Sequence, residues 1–305
     1  MNYFFNIKDL NNKQLTNSLI LLIDQIKNII SLSKSDYSNL SISPSDFKSK
    51  FENKHSLFSN DDQQDCSEFL RVLLEDISKE NNRIKGNYIY EELDKNNKTK
   101  QELVKEFHNL FIKKEDSFIV DNFYIQLLNT YKCNCGFETY SCEKILDIPL
   151  NMPNIKNYTI KELLEFNLYY DNVKWEEICQ KCKKKDEIIE QYIKFSIVNE
   201  VVFMTLQRFN KETNSINTSL VKYDDILDLN PYIYGKTELD DNKYFLKGIV
   251  HYKGNMEKGH YWSNIKIKGE WYEFNDAFVR KLVTQEYQNS TVFILVYEKI
   301  KNNII

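Results

Sequence analysis

The order in which two hydrophobic rhythms follow each other limits this chain's fold more than any other feature. The first third repeats apolar residues at helical spacing. Leu19, Leu22, Ile23, Ile26, Ile29 and Ile30 share one face of residues 16–30, and Phe69, Leu70, Leu73, Leu74 and Ile77 share one face of residues 63–77. A weaker helix is expected over 102–111, after a charged loop at 91–100. From Ser117 the rhythm changes. Residues 118–131, 137–150, 186–198 and 201–209 read as strands, and 244–297 as strands joined by turns. Thr159 and Glu162 have the spacing of a capping box, so a short helix is expected to start there. Helices first and an antiparallel sheet afterwards make an α+β architecture.

No internal repeat or low-complexity linker divides the 305 residues, and 42% hydrophobic content with 14% aromatic residues supplies a substantial core. A single domain over 1–305 is expected. The net charge of −4 gives no basic field to recommend nucleic acid as a partner. The one dense basic run, 181–185, reads as a solvated loop. No apolar stretch approaches the ~20 residues that span a bilayer, so no membrane partner is expected. The N-terminus has neither the basic region nor the cleavage site of a signal peptide. An intracellular protein of cytoplasm or nucleus is expected, with its six cysteines reduced.

Two cysteine pairs stand out in that setting. Cys133 and Cys135 flank one residue ahead of Gly136, and Cys179 and Cys182 have the usual Cys-x-x-Cys spacing. Four thiolates from two such knuckles suit a structural, closed zinc site. The alternative is four unrelated thiols. Cys66 and Cys142 read as core thiols.

Glycine is scarce, with seven in the chain, yet Gly248, Gly254 and Gly259 fall within twelve residues just before His260. Such clustering makes room for a close approach of backbone, or serves a hairpin turn at Lys253-Gly254-Asn255. Of four histidines only His260 has a context that suggests chemistry; His55 and His108 read as structural, and His251 precedes the turn. Asn275, on the strand expected next to that of His260, is a candidate to accept Nδ1–H and leave Nε2 basic. Asp276 is a second orienter or a turn residue.

These residues resemble the catalytic domain of the ubiquitin-specific proteases, papain-like thiol isopeptidases. The resemblance is carried by Gln63-Gln64-Asp65-Cys66-Ser67-Glu68-Phe69-Leu70, by 131–150 together with Cys179 and Cys182, by Phe203-Met204-Thr205-Leu206-Gln207-Arg208-Phe209, and by Gly259-His260-Tyr261 through Phe274-Asn275-Asp276. It spans nearly the whole chain in order. It implies a helical thumb (about 1–115), zinc-bearing fingers (about 118–210) and a palm with the histidine box (about 211–300). It further implies a cleft for the ubiquitin tail, lined here by Gly254, Gly259, Tyr261, Gln64 and Asp65, with His260 as base and Asn275 as its orienter.

One block departs. Where the family carries Gly-x-x-Asn-x-Gly-Asn-Thr-Cys-Tyr-Met-Asn-Ser, this chain has residues 6–18, with Asn17-Ser18 fixing the register. The nucleophile position is Gln14, and the oxyanion-stabilising asparagine is Asp9. An amide does not replace a thiol activated at a helix N-terminus. A carboxylate reverses the electrostatics that a developing oxyanion needs. The chain is therefore expected to be catalytically silent or severely impaired while binding ubiquitin or a protein partner. An active deubiquitinase with its nucleophile elsewhere, and a scaffold that has lost ubiquitin, are the alternatives.

Overall fold

Polar caps decide where the helices start. The structure, a computed structural model, describes residues 13–31, 42–59, 62–86, 91, 93, 98–153, 156–175, 177–185, 188–210, 212–237 and 241–301. Among the described residues, five α-helices come first: α1 (Gln14–Ser31), α2 (Ser45–Glu52), α3 (Cys66–Glu80), α4 (Lys100–Lys114) and α5 (Phe118–Phe123). The Asp65 carboxylate accepts the backbone N–H groups of Ser67 and Glu68 at 2.7 and 3.2 Å, so α3 begins at Cys66. Cys66 thus lies in the first turn, and the helix starts three residues after the expected 63. Thr99 and Glu102 close a capping box on α4.

The α5 helix overturns an expectation. Residues 118–131 are aromatic and β-branched and read as one strand, but Ser117 Oγ accepts the Val120 N–H at 3.2 Å and starts a helical turn. Ile119, Val120 and Phe123 are buried there in the apolar cluster that also holds Leu74 and Ile77 of α3. Burial of that face outweighs local strand propensity.

The strands then follow: β1 (Ile125–Lys132), β2 (Glu138–Ile145), β3 (Ile148–Asn151), β4 (Tyr158–Thr159), and, after α6 (Ile160–Asn167), β5 (Tyr169–Lys174), β6 (Ile188–Val198) and β7 (Val201–Gln207). Short pieces β8 (Phe209–Asn210), β9 (Ser215–Ile216), β10 (Val221–Lys222) and β11 (Ile226–Asp228) lead to β12 (Lys243–Gly254), β13 (Gly259–Ile267), β14 (Glu270–Asn275), β15 (Phe278–Lys281), β16 (Gln288–Asn289) and β17 (Val292–Lys299). Thr159 and Glu162 form the capping box of α6 as the spacing predicts.

Among the described residues the strands form four sheets, two of them larger than the others. An antiparallel sheet of order β2-β1-β6-β5 projects with the cysteines at one end, and a larger sheet runs β15-β14-β13-β12-β17-β7-β3. In the larger one β3 pairs with β7 in parallel, unlike its antiparallel neighbours. α5 packs with the helices, and β3 and β7 belong to the large sheet.

One apolar cluster joins the helices to the large sheet and contains Leu15, Leu74, Ile77, Phe203, Tyr252 and Phe293. Each fully buried aliphatic side chain there contributes about 1.5–3 kcal/mol. Arg208, at the end of β7, is buried. Its Nε donates to the Val292 carbonyl at 2.6 Å and Nη1 to those of Asn217 and Ser219 at 2.7 and 3.1 Å. Burial brings this guanidinium down to about 10.

Candidate functional site

β13 and β14 pair from Ser263 opposite Phe274 to Ile267 opposite Glu270, and the chain reverses at Lys268 and Gly269, both with positive φ. That reversal brings His260 to Asn275. Nε2 of His260 lies 2.7 Å from Asn275 Oδ1. A carbonyl oxygen only accepts, so the ring donates through Nε2–H, and the neutral imidazole keeps its lone pair on Nδ1. Asn275 thus meets Nε2, where a bond from Nδ1–H is expected from the sequence. Asp276 occupies a left-handed turn position at φ +52°, with Oδ2 3.8 Å from the same Nε2. His260 itself is half-exposed.

Trp262 lies between the two histidines of the hairpin. Its ring stacks on that of His251 at 5.0 Å and on that of His260 at 6.2 Å, within 17° of parallel. His251 is 3% exposed, and burial pushes its pKa down to about 4. Its Nδ1 meets Thr291 Oγ1 at 3.0 Å. His251 is thus a neutral rung under Trp262 rather than a second cleft histidine.

The glycines show where space is needed. A Cβ on Gly259 would lie 2.0 Å from the Tyr252 hydroxyl oxygen, and one on Gly254 would lie 2.3 Å from Gly259 Cα. The room they leave is taken by the chain's own hairpin crossing. Gly248 would meet only ordinary contacts, the nearest at 3.6 Å. The Tyr252 hydroxyl donates to the Asn255 carbonyl at 2.6 Å, and the Gly259 N–H donates to Gln63 Oε1 at 3.0 Å. Tyr252 is not among the residues expected at the cleft, and Gln63 enters the expectation only as the first residue of the block 63–70.

Gln64 Nε2 donates to the Leu57 carbonyl at 3.0 Å, and Asp65 caps α3. Tyr261 packs against Tyr252 and Phe293 at 4.6 and 5.5 Å, and its hydroxyl accepts the Cys66 N–H. Burial raises the Tyr261 hydroxyl above the ordinary tyrosine range. The Cys66 thiol is near this ring but is pushed up to about 12, first by burial and then by the Asp65 carboxylate. It remains protonated at neutral pH.

Gln14 is the first residue of α1 and is exposed. Leu15, next to it, shares an apolar cluster with Tyr261, the neighbour of His260. The helix start is engaged by a carboxylate 64 residues away. Glu80 accepts the N–H groups of Leu15 and Thr16 at 3.3 and 2.9 Å and the Thr16 hydroxyl at 2.8 Å, and Lys54 Nζ donates to it at 2.7 Å. Nothing local in the sequence announces this bond. Asp9 lies outside the described residues.

Cys133, Cys135, Cys179 and Cys182 do come together. All four sulfurs lie within 4.8 Å of one another, with Cys133 to Cys182 and Cys135 to Cys179 each 3.7 Å apart. Gly136 at φ +80° and Lys183 at φ +60° turn the two knuckles. Backbone N–H groups of Cys182 and Lys181 donate to Cys179 and bring its thiol down to about 6. This is a set of donors able to hold a metal ion. Among the described residues, no helix is long and apolar enough to cross a membrane.

Comparison with known proteins bears on the same elements. A family model described as ubiquitin carboxyl-terminal hydrolase matches residues 1–297. Ubiquitin carboxyl-terminal hydrolase Usp2 of Drosophila melanogaster is 26% identical over 271 residues, 85% of this chain and 28% of that protein. Ubiquitin carboxyl-terminal hydrolase 2 of Bos taurus is 26% identical over 276 residues, 84% of this chain and 44% of that protein. The chain thus spans less than half the length of either relative. The SAGA Ubp8/Sgf11/Sus1/Sgf73 DUB module bound to ubiquitin aldehyde is similar in structure, with a TM-score of 0.67 at 17% identity, covering 94% of this chain and 67% of that one. The SAGA DUB module bound to monoubiquitin gives 0.63 at 18%, covering 85% and 53%. At these identities the structural likeness is one of fold.

Proposed function

The chain belongs to the ubiquitin carboxyl-terminal hydrolase family, and from that premise we propose that it binds ubiquitin or a ubiquitinated protein without cleaving it. The observation that carries this reading is the pairing of an oriented histidine with a helix start that offers no thiol. His260 is held by Asn275 at 2.7 Å, while α1 begins at Gln14. Thiol isopeptide cleavage needs a thiolate to attack the carbonyl carbon after the ubiquitin tail, and a base to take its proton. The lone pair of the Gln14 amide nitrogen is delocalised into its carbonyl and does not attack. His260 then has no proton to remove and serves as a hydrogen-bonding group in the cleft. Asp9, at the position of the oxyanion donor, adds repulsion in place of stabilisation.

Ubiquitin as the partner is supported by the family and by the fold shared with modules bound to ubiquitin and to ubiquitin aldehyde. Gly254, Gly259, Tyr261, Gln64 and Asp65 line the proposed tail cleft, and the cytoplasm or nucleus is the proposed setting. The one observation favouring an active enzyme is Cys66 beside Tyr261. Its thiol at about 12 leaves a negligible thiolate fraction at neutral pH.

Zinc is the proposed metal of the four cysteines. A tetrahedral ion with bonds of about 2.3 Å separates its sulfurs by about 3.8 Å, and two pairs here stand at 3.7 Å. Cys133, Cys135, Cys179 and Cys182 would hold the ion in a closed, structural role. They tie the turn between β1 and β2 to the connection between β5 and β6.

Titration of labelled ubiquitin, with a ubiquitin-amide hydrolysis assay alongside, tests the proposal. Saturable binding with no hydrolysis above buffer is expected. Hydrolysis abolished by His260→Ala contradicts it, and no binding at high micromolar concentration indicates a scaffold that has lost ubiquitin.

A further inference from the structure

A separate group of titratable residues lies in the seam between α4 and the sheet of β1 and β2. Lys144 on β2 has Nζ 3.3 Å from Nδ1 of His108 on α4 and 4.8 Å from the centroid of the Phe111 ring. Directly across from Lys144 on β1 is Gln126, fully buried. Its Nε2 donates to the Val104 carbonyl of α4 at 2.9 Å, and its Oε1 has no partner. Cys142, two residues before Lys144 on the same face of β2, is the other titratable group that bears on the amine. Among the described residues, no carboxylate forms an ion pair with Lys144.

This is unusual company for a lysine. Burial under α4, only partly offset by Cys142, brings the amine down to about 8. Burial, and then the Lys144 ammonium, also lower His108, so its ring is neutral and able to accept a proton. Lys144 is only partly buried.

We infer that Lys144 is an acyl-acceptor site, taking an acyl group from a small thioester with His108 Nδ1 as the proton acceptor. The Nζ lone pair attacks the thioester carbonyl carbon. The C–N bond forms as the C–S bond breaks, and the thiolate leaves with the bonding pair. One Nζ proton passes to His108 Nδ1 and then to the departing sulfur. The product is a neutral amide and a thiol, with no change of oxidation state. Gln126 Oε1, unpartnered in the same seam, is an acceptor for the hydrogen that the amide keeps. The charge over Phe111 is lost, so acylation changes the contact through which α4 rests on the finger sheet.

The test uses the folded, unmodified chain. It is incubated with S-acetyl-N-acetylcysteamine from pH 7 to pH 10, and acetylation of each lysine is followed by peptide mass spectrometry. Lys161, with a side chain 78% exposed, is the internal reference. At pH 8 about half of the Lys144 amines are neutral against under ~1% of ordinary lysines, a ratio above about fifty; the weaker nucleophilicity of a less basic amine offsets part of it, so roughly tenfold faster labelling of Lys144 is expected. The ratio falls as pH rises and ordinary lysines become neutral in their turn. His108→Phe retains an aromatic ring, and slows Lys144 by roughly fivefold or more while leaving Lys161 unchanged. Labelling of Lys144 no faster than Lys161 at pH 8, or an unchanged rate in His108→Phe, overturns the assignment.

Discussion

Nε2 of His260 stands 2.7 Å from Oδ1 of Asn275, so the ring turns its Nδ1 away from that bond. The hairpin of β13 and β14 builds this pair from a turn at Lys268-Gly269, and Trp262 stacks beside it. Both features serve the sheet as well as the site. Their presence therefore has a physical reason that does not depend on catalysis.

Placing a thiol at the start of α1 is expected to restore part of the chemistry. In Gln14→Cys, a ubiquitin probe with a C-terminal electrophile should form a covalent adduct visible by intact mass, and His260→Ala in the same chain should remove it. With Asp9 aligned to the oxyanion-donor position, the restored rate should be low. Adding Asp9→Asn should raise it by roughly 10²-fold, the scale of one oxyanion donor. No adduct in either variant counts against the assigned register.

Glu80 is expected to make α1 sensitive to acid. Burial alone would raise its carboxyl, but Lys54 and the Thr16 N–H and O–H groups outweigh it and hold the pKa below its ordinary value. A depressed folded pKa means a contribution present above the unfolded pKa and lost as pH falls through the folded one. Glu80→Gln should cost on the order of 1–3 kcal/mol at neutral pH. The deficit should shrink below the ordinary glutamate range, as measured by urea unfolding across pH. A pH-independent deficit would contradict this.

The three clustered glycines should behave differently. Gly259→Ala drives a methyl group into the Tyr252 hydroxyl 2.0 Å away, and should lower stability by more than about 2 kcal/mol unless the hairpin opens. Gly248→Ala meets nothing closer than 3.6 Å and should be nearly neutral. Thermal melts of the two variants make the comparison, and equal losses would remove the close-approach explanation.

Metal removal should act on the finger sheet first. Elemental analysis is expected to find one zinc per chain. Chelation or Cys179→Ala should lower the melting temperature and quench the order around Trp175, which packs on Tyr131 at 4.6 Å beside the cysteines. Tryptophan fluorescence reads this directly. A metal-free chain with unchanged stability would leave four reduced thiols in its place.

Much of this was legible in the sequence because it is written in local patterns. The capping box at Thr159, the hairpin glycines and the two cysteine pairs each depend on residues a few positions apart. What stayed hidden depends on distant partners. Residues 118–123 have strand-like composition, yet Ser117 caps them and the cluster with Leu74 and Ile77 buries their apolar face as helix. The Glu80 bond to Thr16 joins positions 64 apart, and no motif spans that distance. The ring nitrogen that His260 turns to Asn275 follows from strand register rather than from residue identity.

The most direct test of the central claim is intact mass spectrometry of the unaltered chain after incubation with a ubiquitin probe bearing a C-terminal thiol-reactive group. With the Cys66 thiol held near 12 and Gln14 at the head of α1, the mass should remain that of the unmodified chain. A stoichiometric ubiquitin adduct that disappears in His260→Ala would contradict the claim and identify a working nucleophile.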